Sequence, residues 1–162
     1  MYISVIGAAN SDQETARLAE EVGKLIAEKG AVLVCGGLGG VMTAVSKGAR
    51  EAGGVTVGIL PGTDRTEANP HLTIALATGL GYARNALVVQ AGDAVIAVGG
   101  EFGTLSEIGF ALQFGKPVIG LNTWELNRKG LKDSIVAVKS PKEAVEKAFQ
   151  LAGAKPARSP KG

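Results

Sequence analysis

Ala94-Val95-Ile96-Ala97-Val98-Gly99-Gly100-Glu101-Phe102-Gly103-Thr104-Leu105-Ser106-Glu107 is an apolar run that meets a glycine turn and then opens a stretch of helical period reaching Phe114. It reads as a strand, a turn and a helix start. Three glycines in five residues let the backbone come close to an anion. The first N–H groups of the helix, which have no partner within it, point into that turn with the positive end of the helix dipole. The segment therefore predicts a phosphate-sized site at Gly99, Gly100, Gly103 and Thr104, with the carboxylate of Glu107 beside it.

On either side of this stretch, apolar runs of strand length alternate with segments of helical period. Strands are predicted at 3–6, 31–35, 55–60, 93–98, 117–121 and 135–138, with a shorter run at 72–75. Ser11-Asp12-Gln13-Glu14 offers a capping box for a helix to Lys29, whose apolar positions Ala16, Leu18, Ala19, Val22, Leu25 and Ile26 form one face, and Gly30 stops it. Further helices are predicted at 41–52, 81–91, 104–114 and 141–151, the last with Pro141 at a first-turn position that suits proline. Runs apolar at every position suit parallel strands covered on both faces. The predicted fold is α/β: a Rossmann-like, doubly wound, mostly parallel sheet with helices on both faces and its site beyond the C-terminal strand ends. Residues 1–152 form one predicted domain, and 153–162, basic and without apolar anchors, a disordered tail.

Composition narrows the function classes. The chain has 162 residues, enough for one domain that buries about 70% of its unfolded surface. Its 24 glycines sit in a chain that is 46% hydrophobic and has no collagen period, so they belong to turns and close approaches. A net charge of +2 and 4% aromatics supply neither a basic patch nor stacking platforms, so nucleic acid is not an expected partner. No apolar stretch is long enough to span a membrane and the first residues lack a signal-peptide pattern, so a cytoplasmic protein without membrane partners is expected. One cysteine, Cys35, and one histidine, His71, make neither a disulfide nor a metal site by themselves, and no metal is expected. The G-x-G-x-x-G fingerprint fails at Gly37-Leu38-Gly39-Gly40-Val41-Met42 and at Gly7-Ala8-Ala9. The P-loop fails because Pro117 follows Gly115-Lys116.

A second glycine turn, Gly36-Gly37-Leu38-Gly39-Gly40-Val41-Met42, follows the strand that ends in Cys35 and leads on to Gly48-Ala49-Arg50-Glu51-Ala52-Gly53-Gly54. Together with Gly99-Gly100-Glu101-Phe102-Gly103-Thr104-Leu105-Ser106-Glu107 and the preceding Arg84, this pair of turns resembles the LONELY GUY (LOG) family, often labelled lysine decarboxylases, over about residues 1–150. Val98 stands where LOG turns usually begin with proline, and Asn85 where the arginine is usually followed by lysine. Gly81-Tyr82-Ala83-Arg84-Asn85 is more similar to the related molybdenum cofactor carrier and DprA-like branch. The resemblance implies that Gly36, Gly37, Gly39, Gly40, Met42, Gly99, Gly100, Gly103 and Thr104 hold a nucleoside monophosphate or another phosphorylated small molecule. It implies Arg84 and Glu107 as the residues that hydrolyse an N-glycosidic bond, a homo-oligomer (dimer or tetramer), and no resident cofactor. Pyridoxal phosphate chemistry is not expected, since no lysine falls near either turn. The carrier branch implies the alternative of a binder that does no chemistry.

Several positions also have purely structural readings. Thr104-Leu105-Ser106-Glu107 is itself a capping box, in which Glu107 would bond the helix start. Arg84 could lie on the surface, Gly36 to Gly40 could serve strand–helix packing, and Met42 could fill the core.

Overall fold

The computed structural model describes residues 1–127, 129 and 135–154. Seven strands form one sheet: β1 (Tyr2–Gly7), β2 (Val32–Cys35), β3 (Thr56–Leu60), β4 (Ile74–Ala77), β5 (Ala94–Val98), β6 (Val118–Leu121) and β7 (Val136–Val138). Their order is β4-β3-β2-β1-β5-β6-β7 and every pairing is parallel. Among the described residues four α-helices lie between strands, α1 (Gln13–Glu28), α2 (Val41–Glu51), α3 (Arg84–Ala91) and α4 (Phe102–Gln113), and α5 (Pro141–Gly153) follows β7.

Alternation along the strands assigns the helices to two faces. Ile3, Val5, Leu33, Cys35, Ile96 and Val98 turn one way and pack on α1, α2 and α5 through Val22, Ile26, Val45 and Val145. Ile6, Val34, Val95, Ala97 and Val118 turn the other way and meet Val88 and Val89 of α3 and Ile108 and Ala111 of α4. β5, buried at all five positions, lies mid-sheet under both layers. The α1–α2 contact depends on missing side chains. A Cβ on Gly23 would stand 2.0 Å from the carbonyl oxygen of Val45, and one on Gly48 would stand 1.9 Å from that of Glu20. Gly48, part of the motif read in the sequence, thus has a packing reason.

The fold class matches the sequence reading, with the sheet wholly rather than mostly parallel. Boundaries differ where local signals compete. α1 is capped by Asp12, whose Oδ1 accepts from Thr15 N at 2.7 Å, so the cap lies one residue later than Ser11. The edge strand β4 begins at Ile74 instead of 72. α5 takes its cap from Ser140 with Pro141 in the first turn and runs on through Gly153. Residues 155–162 of the predicted tail lie outside the described residues.

Strand order reverses direction at β1, whose neighbours are β2 and β5. Connections from these strands depart to opposite faces and leave a crevice beyond their C-terminal ends.

Candidate functional site

A cleft of about 450 Å³ opens at that crevice. Its walls come from the ends of β1 (Gly7 to Ala9), β2 (Gly36, Leu38) and β3 (Pro61), from the start of α3 (Arg84, Asn85) and from the first turns of α4 (Gly103, Thr104, Glu107).

α4 supplies the anion-binding element. It starts at Phe102, with Glu101 at the cap position and no side-chain hydrogen bond capping it. The early N–H groups of such a helix are left for a ligand or water, in the positive end of the dipole. Gly100 makes the approach possible with φ +110°, and a Cβ there would stand 2.5 Å from the Thr104 side chain. At Gly103, by contrast, a Cβ would meet nothing within 4 Å, and the open space before it belongs to the cleft. Thr104 is 2% exposed, lines the cleft, and its hydroxyl has no hydrogen-bond partner among the described residues. Exposed Glu101 sits at the rim, with its carbonyl taking a bond from Trp124 Nε1 at 3.1 Å.

The capping-box alternative for Glu107 does not hold. Because α4 begins two residues before Thr104, Glu107 lies in the second turn, 6% exposed, and its carboxylate accepts no hydrogen bond among the described residues. Its neighbour is Arg84, with Nη1 at 4.0 Å from Oε1. Burial pushes the Glu107 carboxyl up to about 7, an effect that the Arg84 charge only partly offsets. Ser106 Oγ donates to Gly103 O instead of capping the helix.

Arg84 is equally far from the exposed-surface alternative. It is 7% exposed at the first position of α3, with Nη1 donating to Asn85 Oδ1 at 2.6 Å and Nη2 to Gly36 O at 3.2 Å. Its Nε is buried with no partner among the described residues. Gly36 is bare because of this guanidinium: a Cβ there would stand 2.7 and 2.8 Å from its two terminal nitrogens and 2.6 Å from Met42 Sδ. Met42 serves both the core and the cleft wall.

The structure thus brings Gly36, Met42, Arg84, Gly103, Thr104 and Glu107 into one cleft lining. The other predicted glycines shape turns behind it. Gly37 packs on Leu60 and Gly58, Gly39 and Gly40 lie against the Ala8–Ala9 backbone, and Gly99 lies beside Thr15. Tyr82, Asn85, Pro61 and the Gly7-Ala8-Ala9 segment also line the cleft and were not among the predicted site residues. The position of 7–9 at the end of the first strand was the signal that could have found that segment. Cys35 is fully buried beneath the site, and burial pushes its thiol up, which disfavours the thiolate a nucleophile needs. Among the described residues no three His, Cys, Asp or Glu side chains are grouped as a metal site, and no helix is long and apolar enough to cross a membrane.

Comparison with known proteins agrees with this architecture. A protein of Archaeoglobus fulgidus without an assigned activity is 53% identical over 121 residues, covering 75% of this chain and 80% of that one. The cytokinin riboside 5'-monophosphate phosphoribohydrolase of Mycobacterium tuberculosis is 34% identical over 127 residues, 72% of this chain and 67% of that one. Among solved structures, the molybdenum cofactor binding protein from Rippkaea orientalis superposes with TM-score 0.85 at 37% identity, covering 93% and 96% of the two chains. The molybdenum cofactor carrier protein from Chlamydomonas reinhardtii gives 0.79 at 31% identity, covering 94% and 98%.

One expectation is corrected here. DNA processing protein A from Helicobacter pylori, described for its single-stranded DNA binding mode, shares this fold with TM-score 0.72 at 19% identity, over 93% of this chain and 80% of that one. A small net charge and few aromatics therefore do not exclude nucleic acid for a chain of this fold, because a whole-chain sum says nothing about where charges are placed. The profile of the SLOG cluster4 family matches residues 1–148, nearly the whole sequence, and the chain belongs to that family.

Proposed function

We propose that this chain binds a phosphorylated heterocyclic small molecule in the cleft and that, with a nucleoside 5'-monophosphate, Glu107 and Arg84 hydrolyse the N-glycosidic bond to release the base. The observation that carries this reading is the convergence of the uncapped first turn of α4, with the unpartnered Thr104 hydroxyl, and the buried Arg84–Glu107 pair on one cleft. The helix start would hold the phosphate, with Gly103 leaving room for it. As the ribose C1'–N bond breaks, its electron pair leaves with the base, which takes up a proton, and water adds to C1'. The ionised Glu107 stabilises the developing oxocarbenium charge and accepts the proton of that water. Arg84, fixed by Asn85 and Gly36, holds the base or phosphate in register and keeps part of the Glu107 population ionised near neutral pH.

The relationship to the phosphoribohydrolase of M. tuberculosis supports the enzymatic reading. The likeness to molybdenum cofactor binding and carrier proteins, which covers almost the whole chain, favours a second one: the cleft carries a phosphorylated cofactor as cargo without cleaving it. We assign either activity to a single cytoplasmic domain, residues 1–152. We assign the exposed apolar side chains Leu87 and Phe110 on α3 and α4 to contact with a second copy. Free base released from a panel of nucleoside 5'-monophosphates, measured by chromatography with wild type beside Glu107→Ala, tests the proposal. Release that falls about 100-fold or more in the variant supports hydrolysis. Nucleotide binding without release by wild type supports the carrier.

A further inference from the structure

Tyr82 is the one aromatic residue lining the cleft among the described residues, and it is 90% exposed. Its neighbours in chemistry are differently placed. Phe102, 79% exposed, packs at a tilt on Trp124 with ring centroids 5.7 Å apart, and Phe110 stacks on Phe114 at 6.0 Å. The Tyr82 ring has no such partner among the described residues, and its hydroxyl, open to water, needs none from the protein, so the ring face is free. It is carried on a single 3-10 turn, Gly81–Ala83, which opens with Gly81 at φ +55° and follows Gly79 at φ +66°. A Cβ on Gly81 would meet nothing within 4 Å, so packing does not demand a glycine there. The backbone conformation does, and Tyr82, the next residue, lines the cleft. The rest of that lining includes the polar side chains Arg84, Thr104 and Glu107 and the apolar side chains Leu38, Met42 and Pro61. A phosphate at the α4 start takes the polar groups. The apolar lining residues and an unpartnered aromatic ring fit a flat, weakly polar group attached to it.

We propose that Tyr82 is a stacking subsite for the planar nitrogen heterocycle of the phosphorylated ligand. This inference rests on the proposed binding of a phosphorylated ligand and specifies its other end. It predicts that the heterocycle contributes affinity through the Tyr82 face, so a phosphosugar without a base gains nothing from that residue.

Titration calorimetry of wild type, Tyr82→Phe and Tyr82→Ala with AMP and with ribose 5-phosphate tests it, and an exposed side chain makes both variants safe for folding. The expected result is AMP binding weakened about tenfold or more in Tyr82→Ala, retained in Tyr82→Phe, and ribose 5-phosphate binding unchanged in both. If wild type binds both compounds and Tyr82→Ala leaves their affinity ratio unchanged, the stacking subsite is wrong while the phosphate site stands. An equal loss for both compounds also overturns it, since the residue then acts on the phosphate end or on the fold. If wild type binds neither, the nucleoside-monophosphate reading fails and takes the subsite with it.

Discussion

Replacing Glu107 by glutamine should stabilise the protein, and only at high pH. The carboxyl is held at about 7 in the folded chain against 4.5 in the open chain because burial penalises its charged form, and Arg84 at 4.0 Å compensates only in part. Cys35, the other titratable group near it, is buried with its thiol pushed up and is neutral over this range. A carboxyl raised on folding favours the folded state through its protonated form. Its contribution is full below about 4.5, declines from there, and is lost as pH rises through about 7. The difference corresponds to about 3 kcal/mol by pH 8.5. Glutamine has the shape of the protonated acid and never ionises, so it removes this loss. Urea unfolding should find Glu107→Gln equal to wild type at pH 4.5 and about 3 kcal/mol more stable at pH 8.5. A variant no more stable than wild type at pH 8.5 would show that the carboxylate is well solvated or well bonded in the folded chain, and the reasoning would fail.

Four further outcomes follow from the same geometry. Gly48→Ala drives a methyl into the Glu20 backbone and should lower stability by about 1–3 kcal/mol in denaturant titrations. Gly103→Ala has free space for its methyl, so it should raise stability by about 0.5–1 kcal/mol, read from the same titrations, while weakening AMP in calorimetry. Glu101→Gln removes an exposed negative charge from the rim of the anion site and should tighten AMP about two- to fivefold, less so in high salt. Base release, which needs Glu107 ionised, should rise with pH through about 7 in a pH–rate profile.

The sheet was legible because most of its strands are short apolar runs bounded by turn residues, a pattern that suits a doubly covered sheet, and β5 is buried at all five positions. Boundaries were less so. Asp12 and Ser11 are both good caps, and Thr104 to Glu107 mimics a capping box although the helix begins at Phe102. The cleft was legible in its α4 wall, where a glycine turn and helix start are local. The Glu107 carboxylate was legible on the same helix, but its role, and Arg84 altogether, came from a family pattern, since nothing in a local window tells a buried arginine from a surface one. The reason for Gly36 lies 48 residues away, in a guanidinium that needs its missing Cβ. Tyr82 and the 7–9 segment join the site only through the order of β1, β2 and β5, which depends on long-range pairing.

Calorimetric titration of wild type with AMP and with adenosine tests most directly whether the α4 start is a phosphate site. AMP is expected to bind at least tenfold more tightly than adenosine, and Gly103→Val, which fills the free space at the first turn of α4, to abolish the difference. Equal affinity for the two compounds, or a preference for AMP that survives Gly103→Val, would contradict it.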